Sequence, residues 1–420
     1  MPPRFDISPE EAIALLVAAG RAAGVEQDRR ERVPVGAAHG RVLLEDVRSR
    51  ADRPTHDDSA LDGFACRAVD TTSATVTDPV TLEFLGESVA GSPFGGFVGR
   101  GQVVSIATGA LVPDGADAVI GVEHASLVDG TVRVTRPADP KAVRPKAQDL
   151  RTGEAYLRAG TRLSSAAIGL AAAMGHGSVT VARRPRVAVL TTGDEVVTAD
   201  EELSAGQVYD ANGAALATLA RAAGCEVTVL EHVRDDGGSL ADVLERVVST
   251  VPAPDLVVTS GGVSRGERDV VRDAMLAGAL DFWRITIRPG GPTMFGRYAG
   301  VPLLGLAGNP VSSLVGWLLF GRAFTDSWSG FEGLLPYYDR LTVRPAGPFR
   351  AERKTVLYRA RLEQREGTLL AVPYENQSSG VLRALVESDA LVVVPGIGDG
   401  QAGPSSVPAS LSAIELRRWL

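Results

Sequence analysis

Residues suited to binding an anionic ligand recur at the ends of predicted strands in the middle of the chain. Glycines, hydroxyl side chains and charged residues follow five apolar runs, in the clusters TGDE (192–195), RDD (234–236), SGGVSRGERD (260–269), RPGGP (288–292) and GNP (308–310). Ligands of open α/β sheets bind outside the carboxyl ends of the strands. Because five strand ends carry such residues, we expect the clusters to line one crevice.

The cluster SGGVSRGERD is the strongest single motif of the five. Consecutive glycines let the backbone approach a ligand closely, and N–H groups near the start of a helix bind phosphate. The cluster matches neither a Walker A loop nor GxGxxG. Taken alone, an ordinary turn between a strand and a helix is the alternative.

Four acids of these clusters, Asp194, Glu195, Asp235 and Asp269, could jointly hold Mg²⁺. Magnesium prefers carboxylate oxygens together with the phosphates of a substrate. For any one of these acids, capping of the following helix is the alternative.

The elements that must position the clusters follow from hydrophobic periodicity. Residues 183–330 alternate strand-like and amphipathic helical runs, which predicts a doubly wound, mostly parallel sheet with helices on both faces. The predicted strands are 186–192, 225–233, 255–262, 282–290 and 301–308, and the predicted helices are 211–224, 239–250, 268–276 and 311–324. A further helix is predicted over 8–24, opened by a capping box of Ser8 and Glu11 and closed by Gly24.

Composition limits the class of protein. The chain has 420 residues, of which 45% are hydrophobic and 22% charged, as expected for a globular protein of several domains. Its net charge of -8 argues against non-specific binding to nucleic acid or to a membrane surface. Cys66 and Cys225 form no disulfide framework, and the N-terminus does not resemble a signal peptide, so we expect a cytoplasmic protein.

Ordered motifs along nearly the whole chain make it resemble the MoeA-type molybdopterin molybdenumtransferases, the family that includes the gephyrin E domain. The motifs are HDDSALDGFA (56–65), TGALVPDGADAV (108–119), TTGDE (191–195), GQVYDANG (206–213), SGGVSRGERD (260–269), RPGGPTMFG (288–296) and GLAGNPVSS (305–313), with a similar stretch at 377–396. The resemblance implies a discontinuous linking domain (1–50 and 141–182), an inserted β domain (51–140), a MogA-like α/β domain (183–330) and a C-terminal β barrel (331–420).

The resemblance also implies an activity. It is the insertion of molybdate into adenylylated molybdopterin with release of AMP, which gives molybdenum cofactor and uses Mg²⁺. The implied assembly is a homodimer whose site lies between the α/β domain of one chain and the linking and inserted domains of the other. Contact with a molybdopterin adenylyltransferase is a further expectation, and nucleic-acid or membrane partners are not expected.

The candidate site residues, taken from the strand-end clusters and from the family motifs, fall into two groups. The catalytic group is Asp62, Thr108, Asp149, Glu195, Asp235, Asp269 and Arg288, of which Glu195, Asp235 and Asp269 are the expected metal ligands. The substrate-binding group is Thr192, Gly193, Asp194, Asp210, Ser260, Gly261, Gly262, Ser264, Pro292, Asn309, Pro310 and Ser312. Asp62, Thr108 and Asp149 match residues that the partner subunit contributes; turn, cap or strand-end hydrogen bonding is the alternative for each.

The sequence departs from the family pattern at three places. Where the family has two lysines in a KPGKP-like loop, this chain has Arg288 and Gly291; Ala307 stands for a proline and Ala147 for a glycine. Gly291 lacks the positive charge of the family's lysine. A catalytically weakened paralogue that binds molybdopterin is therefore one alternative. Molybdopterin adenylyltransferase is a second alternative, and tungstate in place of molybdate is a third.

Overall fold

The computed structural model describes residues 3–234, 237–263, 279–397 and 407–418. The predicted helix 268–276 and the predicted site residues Asp235, Ser264 and Asp269 therefore lie outside the described residues. No helix within the described ranges is long and apolar enough to cross a membrane.

The strands of the described residues build three larger sheets and four two-stranded pairs. In chain order they are β1 (Arg4–Ile7), β2 (Arg30–Pro34), β3 (Val47–Arg48), β4 (Asp58–Ser59), β5 (Gly63–Cys66), β6 (Val80–Ser88), β7 (Gln102–Ile106), β8 (Ala118–Gly121), β9 (Ala125–Val128), β10 (Thr131–Val134), β11 (Val143–Arg144), β12 (Ala155–Leu157), β13 (Ser178–Ala182), β14 (Arg186–Thr192), β15 (Val196–Val197), β16 (Val208–Tyr209), β17 (Glu226–Val233), β18 (Leu256–Ser260), β19 (Ala279–Ile285), β20 (Ile287–Arg288), β21 (Met294–Tyr298), β22 (Val301–Leu306), β23 (Leu341–Pro345), β24 (Thr355–Arg365), β25 (Thr368–Pro373), β26 (Ala390–Val394) and β27 (Leu411–Glu415). The helices are α1 (Pro9–Glu26), α2 (Ser165–Ala173), α3 (Ala211–Ala222), α4 (Gly237–Val248), α5 (Pro310–Gly316), α6 (Arg322–Trp328) and α7 (Arg383–Val386), and a π-helical turn (Trp317–Gly321) joins α5 to α6.

The central sheet has seven strands in the order β1-β19-β21-β22-β18-β14-β17. All neighbours run parallel except β21, which is antiparallel to both β19 and β22. The predicted doubly wound, mostly parallel α/β fold is thus confirmed. Strands β14 and β18 are almost wholly buried, as expected of parallel strands covered on both faces.

Strand β21 was not predicted, and the predicted strand 282–290 was too long at its carboxyl end. Strand β19 ends at Ile285, and the chain returns through β21 to form a hairpin with β22. The two-residue turn of that hairpin is Ala299 and Gly300, both with positive φ (47° and 85°), which suits the right-handed twist of paired strands.

The N-terminal strand and helix pack against the central sheet. Strand β1 pairs with β19 and forms one edge of the sheet, and α1 buries Ile13 and Leu16 against the core. Ser8 caps the helix as predicted, because its Oγ accepts from the Glu11 N–H at 3.1 Å, but the predicted end at Gly24 was wrong. Gly24 lies inside the helix, where an added Cβ would lie 2.2 Å from the Trp328 carbonyl oxygen, so its role is close helix packing.

Two further sheets flank this core. Residues between β5 and β10 form a six-stranded sheet in the order β8-β5-β7-β6-β10-β9. The short pairs β2–β13, β3–β12 and β4–β11 join segments that precede this sheet to segments that follow it. Chain segments far apart in sequence are thereby brought together on either side of the inserted sheet.

The C-terminal residues form a closed β barrel, as predicted. Strands β24, β25, β23, β27 and β26 pair in that order, and an additional β24–β26 pairing closes the ring. Strand β20 attaches to the outside of β24, with Arg288 opposite Val356. This pairing fixes the barrel beside the strand-end loop that carries Arg288.

Candidate active site

Described residues of four of the five predicted strand-end clusters meet in one cavity; Arg234 of the cluster 234–236 does not line it, and of the cluster 288–292 only Pro292 does. Strands β14, β18 and β22 are parallel neighbours, and register pairs Thr191 with Ser260 and Ser260 with Leu306, so their carboxyl ends lie side by side. The cavity at this edge has a volume of about 480 Å³. Its described lining residues are Thr191, Thr192, Gly193, Glu195, Val196, Val208, Tyr209, Asp210, Ala211, Asn212, Ser260, Gly261, Gly262, Val263, Pro292, Ala307, Gly308, Asn309 and Pro310.

A hydrogen-bond network forms the floor of this first cavity. The Asn212 amide donates to Ser260 Oγ at 2.9 Å and to the Gly308 carbonyl at 2.7 Å. Ser313 Oγ donates to Ser260 Oγ at 3.0 Å. Buried polar groups that are linked in this way hold three strand-end loops in a fixed arrangement.

Two polar atoms in the wall of the first cavity have no hydrogen-bond partner among the described residues. They are Thr192 Oγ1 and Asn212 Oδ1, both buried. An unsatisfied buried polar atom costs about 1–3 kcal/mol, which a bound ligand or water would recover. These atoms are therefore candidates for direct ligand contacts.

Glycine is required at Gly261 for a steric reason. Its φ is +105°, and an added Cβ would lie 2.5 Å from Thr192 Oγ1 and 2.8 Å from the Thr192 carbonyl oxygen. The backbone of Gly261 thus lies directly against Thr192 of the neighbouring strand. The same backbone also lines the cavity.

Asp210 combines the predicted position in the cavity with a capping role. Its carboxylate accepts from the Gly213 N–H at 2.8 Å, which caps α3, and from Thr191 Oγ1 at 2.7 Å. His232 Nδ1 lies 3.2 Å from the same Thr191 hydroxyl. Asp210 therefore caps α3 and also lines the cavity.

Glu195 and Asp194, the neighbouring predicted acids, are placed differently. Glu195 lines the first cavity, and its carboxylate lies over the backbone of Gly193. Asp194 is exposed, is not among the lining residues, and has Arg234 at 3.8 Å. Within the described ranges, no three His, Cys, Asp or Glu side chains come together as a metal site.

A second cavity of about 700 Å³ adjoins the first and lies between the α/β sheet and the barrel. Pro292, Ala307 and Asn309 line both cavities. The predicted residues Arg288 and Ser312 belong to this second cavity. Its other lining residues are Ile287, Pro289, Gly290, Gly291, Glu352, Lys354, Gln377, Ser378 and Ser379.

Arg359, which the sequence did not single out, lies behind the wall of the second cavity. It is 2% exposed, and it donates to the Ser378 carbonyl at 3.2 Å. Burial and the neighbouring charge of Arg288 lower the pKa of Arg359 to about 10, which leaves the side chain protonated at neutral pH. Its Nε has no hydrogen-bond partner among the described residues.

Arg359, Lys354 and Asn212 are the functional candidates that sequence reasoning missed. The sequence pattern could have indicated Arg359. It interrupts the apolar run of β24 two residues after Leu357, so it lies on the same face of the strand as that buried side chain. Asn212 stands two residues after Asp210 in the motif GQVYDANG. Nothing in the sequence pattern marked Lys354.

The three residues expected from the partner subunit lie outside both cavities of this chain. Asp62 Oδ1 accepts from the Thr108 backbone N–H at 2.7 Å, and hydrogen bonds from Thr108 lower the pKa of Asp62. Asp149 is exposed, with Arg53 Nε at 3.5 Å. Ala147, two residues earlier, has a φ of +60°, the conformation that favours glycine.

Comparison with known proteins agrees with this architecture. Residues 7–175 match the MoeA N-terminal region (domain I and II), residues 188–326 a probable molybdopterin binding domain, and residues 342–403 the MoeA C-terminal region (domain IV). The chain is 34% identical to molybdopterin molybdenumtransferase 2 of Mycobacterium tuberculosis over 372 residues, which cover 86% of this chain and 90% of that protein. It is 33% identical to a molybdopterin molybdenumtransferase of Nostoc sp. over 384 residues, covering 88% and 86%.

A solved structure gives the same result. A molybdopterin biosynthesis MoeA protein from Pyrococcus horikosii is 30% identical, with a TM-score of 0.75 over 98% of this chain and 99% of that one. Sequence and structure are therefore similar over essentially the full length. The chain belongs to the MoeA-type molybdopterin molybdenumtransferases.

Proposed function

We propose that this protein transfers molybdenum from molybdate into adenylylated molybdopterin, with release of AMP, in the synthesis of molybdenum cofactor. The observation that carries the proposal is the wall of Pro292, Ala307 and Asn309 that two different cavities share. An insertase needs a pterin nucleotide and an oxyanion side by side, and this pair of cavities suits that need.

The first cavity is proposed to hold the adenylylated pterin. Its described lining contains no lysine or arginine, so phosphate recognition would depend on backbone N–H groups around Gly261 and on hydroxyls such as Thr192. The phosphoanhydride bond breaks, AMP leaves, and the oxygen that completes the released phosphate comes from molybdate or water. Backbone donors fixed in place stabilise the charge that develops on the phosphate oxygens.

The second cavity is proposed to hold molybdate. Arg288 and Lys354 line it, and the buried charge of Arg359 lies behind Ser378. Glu352 neutralises part of this charge, because Arg288 Nη1 donates to its carboxylate at 2.9 Å. Lys354 and Arg359 thus supply cations to a cavity whose wall at Gly291 lacks the lysine typical of the family.

Magnesium enters the proposal through Glu195, which lines the first cavity. The other two proposed ligands, Asp235 and Asp269, lie outside the described residues, and one carboxylate alone does not make an ion site. If bound there, Mg²⁺ would neutralise charge on the phosphates of the substrate. We assign no step of the reaction to it.

A homodimer is proposed as the active form. Asp62, Thr108 and Asp149 are family positions that lie outside both cavities of their own chain, which supports their contribution to a partner's site. A cytoplasmic location is proposed as well, supported by the unpaired, buried Cys66 and Cys225. Contact with a molybdopterin adenylyltransferase also remains a proposal.

The alternatives are a weakened paralogue and an adenylyltransferase. The matches to the N-terminal and C-terminal regions of MoeA, in addition to the α/β region, favour the insertase over the adenylyltransferase. Gly291 and Ala307 are the features that favour a weakened paralogue, whereas the cations of the second cavity favour activity. Molybdate and tungstate have the same charge and shape, so competition between them must be measured.

The deciding experiment measures AMP release from adenylylated molybdopterin by the full chain with Mg²⁺, with and without molybdate. Molybdate-dependent release, together with formation of active cofactor, is the expected result. Tight pterin binding without release would instead assign a paralogue that has kept only the pocket. Omitting Mg²⁺ and replacing molybdate by tungstate test the two finer assignments in the same assay.

A further inference from the structure

A cluster of arginines lies at the end of the central sheet opposite the candidate active site. Strand β14 ends at Thr192 in the first cavity and begins at Arg186, which lines a separate cavity of about 630 Å³. Five arginines and two glutamates line that cavity: Arg30, Arg41, Arg183, Arg184, Arg186, Glu31 and Glu226. We call it the basic cavity. Its lining carries more arginines than glutamates, whereas the whole chain has a net charge of -8.

Three of these arginines are neutralised within the protein. Arg183 donates to both oxygens of buried Asp255, at 2.7 and 2.9 Å. Arg41 pairs with Glu31 and also donates to the Ala182 carbonyl, and Arg30 pairs with Glu45. These three side chains hold the segments around the basic cavity together and have little donor capacity to spare.

Arg186 is left with unused donor capacity. The Asp255 carboxylate already accepts from Arg183 and from the backbone N–H of Arg186 at 2.7 Å, so the nearest approach of Arg186 Nε to it is 3.7 Å. Buried Nε of Arg186 has no hydrogen-bond partner among the described residues. A half-buried guanidinium that shares one carboxylate with a better-placed arginine is poised to bind an added anion.

Arg184 is the second unused cation. It is exposed, and within the part of the chain that the structure describes it makes no ion pair; its one side-chain hydrogen bond goes to the Gly224 carbonyl at 3.3 Å. Arg184 and Arg186 both line the basic cavity, and Arg184 also lines a neighbouring cavity that includes Gly224, so its guanidinium lies at the boundary between the two. The planar N–H donors of both arginines match the oxygens of a phosphate group.

We propose that the basic cavity binds a small molecule that carries phosphate, through Arg184 and Arg186. The cavity lies away from the candidate active site, so this binding is independent of the proposed insertase reaction. Exposed Glu226 also lines the cavity and opposes an anion. Its position predicts that removing its charge strengthens binding, opposite to the effect of removing either arginine.

The test titrates the full chain with inorganic pyrophosphate by isothermal calorimetry at low ionic strength. Arg184→Gln should weaken binding about tenfold or more, as expected for loss of a charged hydrogen bond. Glu226→Gln should strengthen binding by about twofold to fivefold, the effect of one exposed charge. Arg133→Gln, at an exposed arginine of β10, is the matched control and should change nothing.

The first cavity also accepts phosphates under the proposed function, so Thr192→Val, which removes a hydroxyl of that cavity, is a necessary companion variant. Pyrophosphate binding that Thr192→Val weakens and that Arg184→Gln and Glu226→Gln leave unchanged would overturn the proposal. Absence of any binding would do so as well. Molybdate-dependent AMP release by Arg184→Gln should equal that of the unaltered protein, whichever site holds pyrophosphate.

A parallel titration with ADP identifies the source of the phosphate. Equal affinity for ADP and pyrophosphate, both reduced in Arg184→Gln, assigns recognition of the phosphates alone. Tighter binding of ADP, also lost in Arg184→Gln, assigns a nucleotide whose base and sugar occupy the remaining volume of the basic cavity. Either result supports a phosphate-bearing ligand at Arg184.

Discussion

The buried guanidinium of Arg359 donates from Nη2 to the carbonyl oxygen of Ser378 at 3.2 Å, and Ser378 lines the second cavity. Within the described residues, the hydrogen bonds of the Arg359 side chain go to two backbone carbonyls and to no carboxylate. A buried charge without a counterion costs several kcal/mol. An oxyanion in the second cavity would supply the missing countercharge, and this relationship links the barrel to the proposed chemistry.

Replacing Arg359 by methionine should therefore raise the KM for molybdate by about tenfold, because the second cavity loses the attraction of a nearby buried cation. Binding of the pterin nucleotide should be unchanged, because the first cavity is untouched. The measurement is AMP release as a function of molybdate concentration. Arg361→Met, two residues along β24 and exposed, is the control and should leave KM unchanged. An unchanged KM in folded Arg359→Met would remove Arg359 from the oxyanion site.

Gly291→Lys should increase turnover or molybdate affinity by about tenfold, because it restores a cation that the family has at this position. An added Cβ would lie 3.0 Å from the Ile287 carbonyl oxygen and 3.4 Å from that of Ile285, so the side chain fits after a small shift. Gly291→Met, of similar bulk but uncharged, separates charge from packing. A folded Gly291→Lys variant with no kinetic gain would mean that Lys354 and Arg359 already compensate.

Thr192→Val and Ser260→Ala remove one hydroxyl each, with opposite consequences. The Thr192 hydroxyl has no partner among the described residues, so its loss should spare stability and weaken pterin binding about tenfold. The Ser260 hydroxyl accepts from Asn212 and Ser313, so its loss should lower the free energy of unfolding by about 1–3 kcal/mol. Denaturant unfolding and equilibrium dialysis measure the two effects. Equal destabilisation by both changes would mark Thr192 as structural.

Ala147→Gly should stabilise the protein by about 1 kcal/mol, because an L side chain at positive φ carries a cost of that size. Ala147 has a φ of +60° and its N–H donates to the Pro54 carbonyl at 2.9 Å, so its conformation is held in place. The denaturant midpoint reports the change. Ala51→Gly, at an exposed alanine outside the positive-φ region, should lower stability instead. A lower midpoint for Ala147→Gly would contradict the steric explanation.

Both cysteines should resist alkylation in the native protein. Burial raises the pKa of Cys66 and of Cys225 to about 12, so the reactive thiolate appears only as pH approaches that value. At pH 8 about one thiol in ten thousand is ionised. Labelling with a maleimide should be negligible between pH 7 and 9 and should reach two per chain after denaturation. Rapid labelling at pH 8 would require that a buried thiol opens to solvent.

The strand-end residues could be predicted because parallel neighbours must share an edge. Thr192 and Ser260 end strands that the hydrophobic period predicts, and Asn309 stands just after a third such strand, so their meeting required no knowledge of long-range contacts. Strand β21 was missed for the opposite reason. Its hairpin turn, Ala299 and Gly300, carries no Asn-Gly or Asp-Gly signal, so the sequence predicts no strand between 290 and 301.

The sequence by itself determined the family, the central α/β sheet and the edge of that sheet where the first cavity lies. Local periodicity and ordered motifs are enough for these, because they depend on residues close together in the chain. Only the tertiary structure decided that Arg359 lies beside Arg288, that Asp194 is not among the lining residues of the first cavity, and that Arg184 and Arg186 both line the basic cavity. Those facts depend on barrel closure and on packing between segments distant in sequence, which no local pattern encodes.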